Sequence, residues 1–126
     1  MISRERVTNQ QLKKELLEAQ RDLYSGRTNA ALLETIKLKF PGVTGAYLLQ
    51  WLPDQGEDIF WILIDSTTVA IIEIPRPEND LSSGVLYRLM NTQDYLKRRL
   101  SRVTKRKVEL ALRLMSINPQ ATVYVP

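Results

Sequence analysis

Six consecutive apolar residues, Ile59-Phe60-Trp61-Ile62-Leu63-Ile64, constrain the fold of this chain more than any other stretch. Asp65-Ser66-Thr67-Thr68 follows, and then a second run, Val69-Ala70-Ile71-Ile72-Glu73-Ile74. β-Branched and aromatic residues parted by short polar ones read as the two strands of an antiparallel hairpin. A half-solvated strand alternates apolar with polar residues, and the stretch from Ile59 to Ile64 does not, so the first strand needs cover on both faces. Burying a large apolar side chain stabilises by roughly 1.5 to 3 kcal/mol, and fixing each residue's backbone costs roughly 1 to 2 kcal/mol. With one face wet, the strand would gain almost nothing.

The flanking segments supply that cover. Thr8 with Gln11 three residues on has the pattern of a capping box. Leu12, Leu16, Ala19 and Leu23 then recur at helical spacing, predicting an amphipathic helix over about 9 to 24 that stops at Ser25-Gly26. Thr28 caps a second predicted helix, through about Lys39, with Leu32, Leu33, Ile36 and Phe40 on its apolar side and Pro41-Gly42 as its end. Thr44 to Leu52 reads as a first strand, with Ala46, Leu48 and Leu52 on one side and Tyr47, Leu49 and Trp51 on the other; Pro53-Asp54-Gln55-Gly56 turns it into the hairpin. Pro75 and Pro77 close the third strand.

Beyond it, Asp80 is positioned to cap a helix through Leu81, Val85, Leu86, Leu89 and Met90, although Gly84 weakens it by about 1 kcal/mol. Thr92 either caps a second segment or lies inside one long helix. Leu96, Leu100, Val103, Leu110 and Leu114 form an apolar stripe interrupted by Lys107 and reaching about Ser116. Asn118-Pro119 ends the stripe, and Thr122-Val123-Tyr124-Val125 offers a short fourth strand. At 126 residues, the expectation is one compact α+β domain over 1–126: a three-stranded antiparallel meander packed by two N-terminal helices and a long C-terminal helical region.

The chain has no cysteine and no histidine. That removes disulfides, Cys/His zinc sites, cysteine nucleophiles, histidine bases and serine–histidine triads. The expected protein is noncatalytic, with no cofactor and no metal. Its N-terminus, Met1-Ile2-Ser3-Arg4-Glu5-Arg6, is charged rather than apolar, which together with strand-sized apolar runs predicts a cytoplasmic protein without a membrane role.

Charge is unevenly distributed. Residues 55 to 80 hold one basic and six acidic side chains, while residues 81 to 126 hold nine basic and two acidic ones. Lys97, Arg98, Arg99, Arg102, Lys105, Arg106 and Lys107 come with no acid among them. On one continuous helix, Arg98, Arg99, Arg102, Lys105 and Arg106 would fan around the side opposite Leu96, Leu100 and Val103. Such a face suits a phosphate backbone, so Lys97, Arg98, Arg99, Arg102, Lys105 and Arg106 are the candidate nucleic-acid-binding residues. The same run also reads as a solvated face balancing the acidic hairpin. Lys107 either sets the register of a self-paired helix or extends from the edge of the core. An uncovered sheet face would make the chain a homodimer.

Three resemblances accompany these readings. Asp65 and Glu73 flank a hairpin between helices, a layout that resembles the core of restriction-endonuclease-like nucleases, with Pro75 where the acid-x-lysine triplet carries its lysine. This likeness implies a degenerate nuclease. A helix, three strands and the basic-started helix Lys105-Arg106-Lys107-Val108-Glu109-Leu110-Ala111 resemble a double-stranded-RNA-binding domain, with Arg76 to Thr104 intervening before that helix. Gly42 to Asp65 looks like a set of small cyanobacterial proteins, which implies no activity. Asp54, Glu57 and Asp58 offer oxygen ligands to a hard cation, and Ser82-Ser83-Gly84 offers backbone donors to an anion. The leading expectation is a binding module whose partner is nucleic acid or an acidic protein surface. The alternative is a protein-interaction or scaffold module.

Overall fold

The computed structural model describes residues 8–76 and 84–117. The expectations placed on Pro77, Asp80, Leu81, Ser82-Ser83, Asn118-Pro119 and Thr122 to Val125 lie outside the described residues. Helix α1 (Asn9–Ser25) opens on the expected capping box, Thr8 accepting from the Gln11 amide while Gln11 accepts from the Thr8 amide. It ends at Gly26, whose φ of 82° is the left-handed conformation glycine adopts without strain. Helix α2 (Ala30–Lys39) is capped by Asn29 rather than Thr28: the Asn29 side chain accepts from the Leu32 amide at 3.0 Å.

Strands β1 (Tyr47–Asp54), β2 (Glu57–Asp65), β3 (Thr68–Pro75) and β4 (Leu86–Asn91) form one antiparallel sheet in the order β1-β2-β3-β4. Gln55-Gly56 and Ser66-Thr67 make the two tight turns; Gly56 has φ 75°, and Asp65 Oδ1 accepts from both the amide and the hydroxyl of Thr67. The α+β meander is as expected, with one correction to its membership. Residues 86–91, expected in a helix, pair with β3 from Leu86 opposite Glu73 to Asn91 opposite Thr68. Apolar residues at 85, 86, 89 and 90 fit helical spacing as well as a strand. The open edge of β3 decides between them, because each main-chain group there needs a partner.

Both faces of β2 are covered, as the run from Ile59 to Ile64 requires. Phe60, Ile62 and Ile64, with Ala70, Ile72 and Ile74 of β3, pack against Leu23 of α1, Leu32 and Ile36 of α2, and Phe40 and Val43 beyond it. Trp61, Leu63, Val69 and Ile71 pack against Leu12 and Leu16 of α1, Tyr95, and the apolar face of the last helix. A bulge at Leu49 changes the alternation expected for β1. Tyr47 and Leu49 lie on the second face, but Trp51 crosses to the first, stacked on Phe60 at 5.5 Å between ring centroids. Gln50 takes the place opposite Trp61. Among the described residues, no helix is long and apolar enough to cross a membrane.

Candidate functional site

The basic segment begins where the sheet ends. Asn91 caps helix α3 (Thr92–Leu96), its side chain accepting from the Gln93 amide at 2.8 Å, and the Thr92 amide donates to the Thr67 carbonyl at 2.9 Å. Tyr95 is fully buried, tilted over Trp61 at 5.4 Å, and its hydroxyl donates to Gln50 Oε1 at 2.6 Å. The bulge at Leu49 is therefore what turns Gln50 toward Tyr95.

The chain leaves the helix after Leu96 and re-enters one only at α4 (Arg102–Ile117). Ser101 makes the new start: its Oγ accepts from the Thr104 amide at 3.0 Å, and its carbonyl accepts from the Lys105 amide at 3.0 Å. The fan of five cations around one continuous helix is accordingly corrected. Lys97, Arg98 and Arg99 lie on the connection, and Arg102, Lys105 and Arg106 lie on the first turns of α4. The apolar face of α4 is also rotated from the predicted stripe. Val103 is exposed, and Val108, Leu110, Ala111, Leu114 and Met115 are buried, with Lys107 half-buried beside them.

The six candidate cations differ in what they already do. The Arg98 guanidinium stacks over Trp61, 4.4 Å from the ring centre, covering that face of the sheet. Arg106 Nη2 donates to Asn9 Oδ1 at 2.9 Å and ties α4 to the start of α1. Lys97, Arg99, Arg102 and Lys105 are exposed. Among the described residues, no carboxylate lies within ion-pairing distance of these four. The first turn of α4 contains no acid. A cation there opposes the helix dipole at a cost of roughly 0.3 to 1 kcal/mol. Helix stability would have selected the opposite charge, and here dipole and side chains add to one positive potential.

Four acids gather at the opposite end of the hairpin. Asp54, Glu57, Asp58 and Glu73 lie around the β1–β2 turn, whereas α3 starts at the Ser66-Thr67 turn, the other end of the hairpin. Asp58 Oδ1 receives both Arg76 Nη2 and Trp51 Nε1 at 3.2 Å. Burial raises the Glu57 carboxyl above its usual range, and the charges of Glu73 and Asp54 push it the same way. A raised folded-state value contributes stability below the unfolded pKa and loses it as pH rises. Glu57→Gln is therefore expected to raise the melting temperature at pH 7, with the gain over wild type vanishing below about pH 4. Equal melting temperatures at pH 7 would contradict the repulsion between Glu57 and Glu73.

Asp65 and Glu73 do not come together. Asp65 closes a turn and pairs with Thr68, and Glu73 lies five residues further along β3, roughly 17 Å at strand rise. Among the described residues, no group of three or more acids is arranged to hold a metal. The double-stranded-RNA-binding likeness meets β4 and α3 between its third strand and its basic helix. Sequence reasoning missed the Tyr95–Gln50 bond and the Arg98–Trp61 stack, since both depend on the bulge and on the break after Leu96. Ser101, three residues ahead of Thr104, was the readable sign of the second helix start. Comparison with family models, curated proteins and solved structures finds no match.

Proposed function

We propose that this chain is a noncatalytic binding module that engages nucleic acid through the exposed cations Lys97, Arg99, Arg102 and Lys105. The observation supporting this reading is that these exposed side chains follow one another along the connection and into the dipole-positive first turn of α4, and that no carboxylate of the described residues pairs with them. Neutralised phosphates release counterions, so affinity falls steeply with salt. Contacts of this kind position a duplex or strand without reading its bases, and little sequence preference is expected.

The test is titration of a labelled oligonucleotide from 50 to 200 mM salt. Changing Lys97, Arg99, Arg102 and Lys105 to Gln is expected to flatten the logarithmic salt dependence by roughly 0.9 per lost phosphate contact on duplex DNA. Arg98 and Arg106 stay unchanged, because Trp61 and Asn9 hold them in structural contacts. Binding that the fourfold variant leaves intact overturns the reading. Binding to an acidic protein with none to nucleic acid moves the same surface to a protein partner. A protein-interaction role has its own supporting observation, the outer edge of β4.

A further inference from the structure

The sheet has two outer edges, and they are treated differently. At the start of β1, Ala46 is bonded on both main-chain groups by α1, its amide donating to the Tyr24 hydroxyl at 2.9 Å and its carbonyl accepting from Gln20 Nε2 at 3.4 Å. Pro53 removes a further donor from that edge. β4 has neither protection. Among the described residues no strand pairs with its outer side, and it contains one charge, Arg88, and no proline. Leu86 is 58 % exposed, and Tyr87 and Leu89 are exposed on the other sheet face. Proteins ordinarily blunt such an edge with charge, proline or cover.

The apolar surface continues from the strand onto α2. Val85 and Tyr87 line a groove of about 250 Å³ with Ala31, Thr35 and Leu38, the last 75 % exposed. Glu34 and Lys39 supply one acid and one base to the same groove. We infer that the outer edge of β4 pairs with β4 of a second copy of this chain, antiparallel about a two-fold axis, with Tyr87 of each copy opposite the other. A strand edge is satisfied best by a strand, and β4 is the less protected of the two edges the described sheet offers.

Residues facing each other across such an axis share a sheet face, so the axis passes at a residue. Centring on Arg88 would oppose two guanidinium groups. Centring on Tyr87 instead sets ring against ring, Val85 against Leu89 and Leu86 against Arg88, all favourable or neutral cross-strand pairs. A strand pair by itself falls short of the roughly 800 Å² per partner that stable interfaces bury, and the contiguous groove on α2 extends the contact.

This inference is independent of the anion-binding reading. Sedimentation equilibrium of the full chain at micromolar concentration is expected to return twice the 14.5 kDa chain mass. Replacing both Leu86 and Leu89 with Lys is expected to halve that mass with the circular dichroism spectrum retained. Because the chain has no cysteine, Tyr87→Cys introduces a single thiol. Mild oxidation should crosslink it into a covalent dimer and leave Lys14→Cys, on the exposed face of α1, uncrosslinked; this readout stands even if the double variant fails to fold. A wild-type monomer overturns the inference, and slow amide exchange along β4 in that monomer would assign the edge to another stretch of the same chain. A dimer that survives the double variant, or that Tyr87→Cys does not crosslink, also overturns it.

Discussion

Phe60→Ala is expected to destabilise the protein by about 3 to 5 kcal/mol, because the site cannot collapse around the missing ring. Phe60 is fully buried on an inner strand, held between Ile72 and Trp51 across the sheet and stacked on the latter. Leu23 of α1, with Ile36 and the C-cap Phe40 of α2, share its cluster from two separate helices, so inward relaxation would pull apart contacts made elsewhere. Domains of this size are stable by only 5 to 15 kcal/mol, so the variant should unfold at a much lower urea concentration with an unchanged slope. Leu38→Ala, at a side chain 75 % exposed, is the matched control and should leave the midpoint of the monomeric state nearly unmoved. A Phe60→Ala midpoint within experimental spread of that control would contradict the two-sided burial of β2.

Alkaline conditions provide the second large effect. Burial pushes the Tyr95 phenol up to about 12 from 10.0, against the opposing pull of the Arg98 charge. Burial also raises Tyr24 and Tyr47. In each case the unfolded chain ionises first. The stability contributed by the protonated phenol is therefore complete below pH 10 and is lost as pH climbs through the folded-state value. For Tyr95 the loss amounts to at most roughly 2 kcal/mol by pH 12.

Urea midpoints measured from pH 7 to 11.5 should hold level to about pH 9 and then fall, and with no histidine in the chain no imidazole step interrupts the level region. Tyr95→Phe should make the alkaline fall shallower. It should also cost about 0.5 to 1.5 kcal/mol at pH 7, through the lost bond to Gln50. A fall of unchanged steepness in Tyr95→Phe would move the alkaline sensitivity to other groups.

The burial of β2 explains why so much of the core was legible. A strand whose neighbouring residues are all apolar has one stable environment, and the helices on either side were identifiable from spacing and caps. The candidate surface was legible as composition and misplaced as geometry. The run from Lys97 to Lys107 fits a helix when read by periodicity, but Tyr95 must reach Gln50 and Arg98 must lie on Trp61. Meeting both demands turns the chain out of the helix until Ser101 starts a new one.

What the amino-acid sequence determined by itself was therefore local or compositional: the capping box at Thr8, the turns at Gly26 and Gly56, the need for two covered faces, and the acidic and basic segments. Only the tertiary structure decided that residues 86–91 extend as a strand, that Leu49 is an extra residue in β1, and that the basic run is divided between a connection and a helix start. Helix and strand preferences differ by no more than about 1 kcal/mol per residue. An unpaired buried main-chain group costs as much or more, so wherever two local readings were close, the open edge of β3 and the packing around Trp61 settled the outcome.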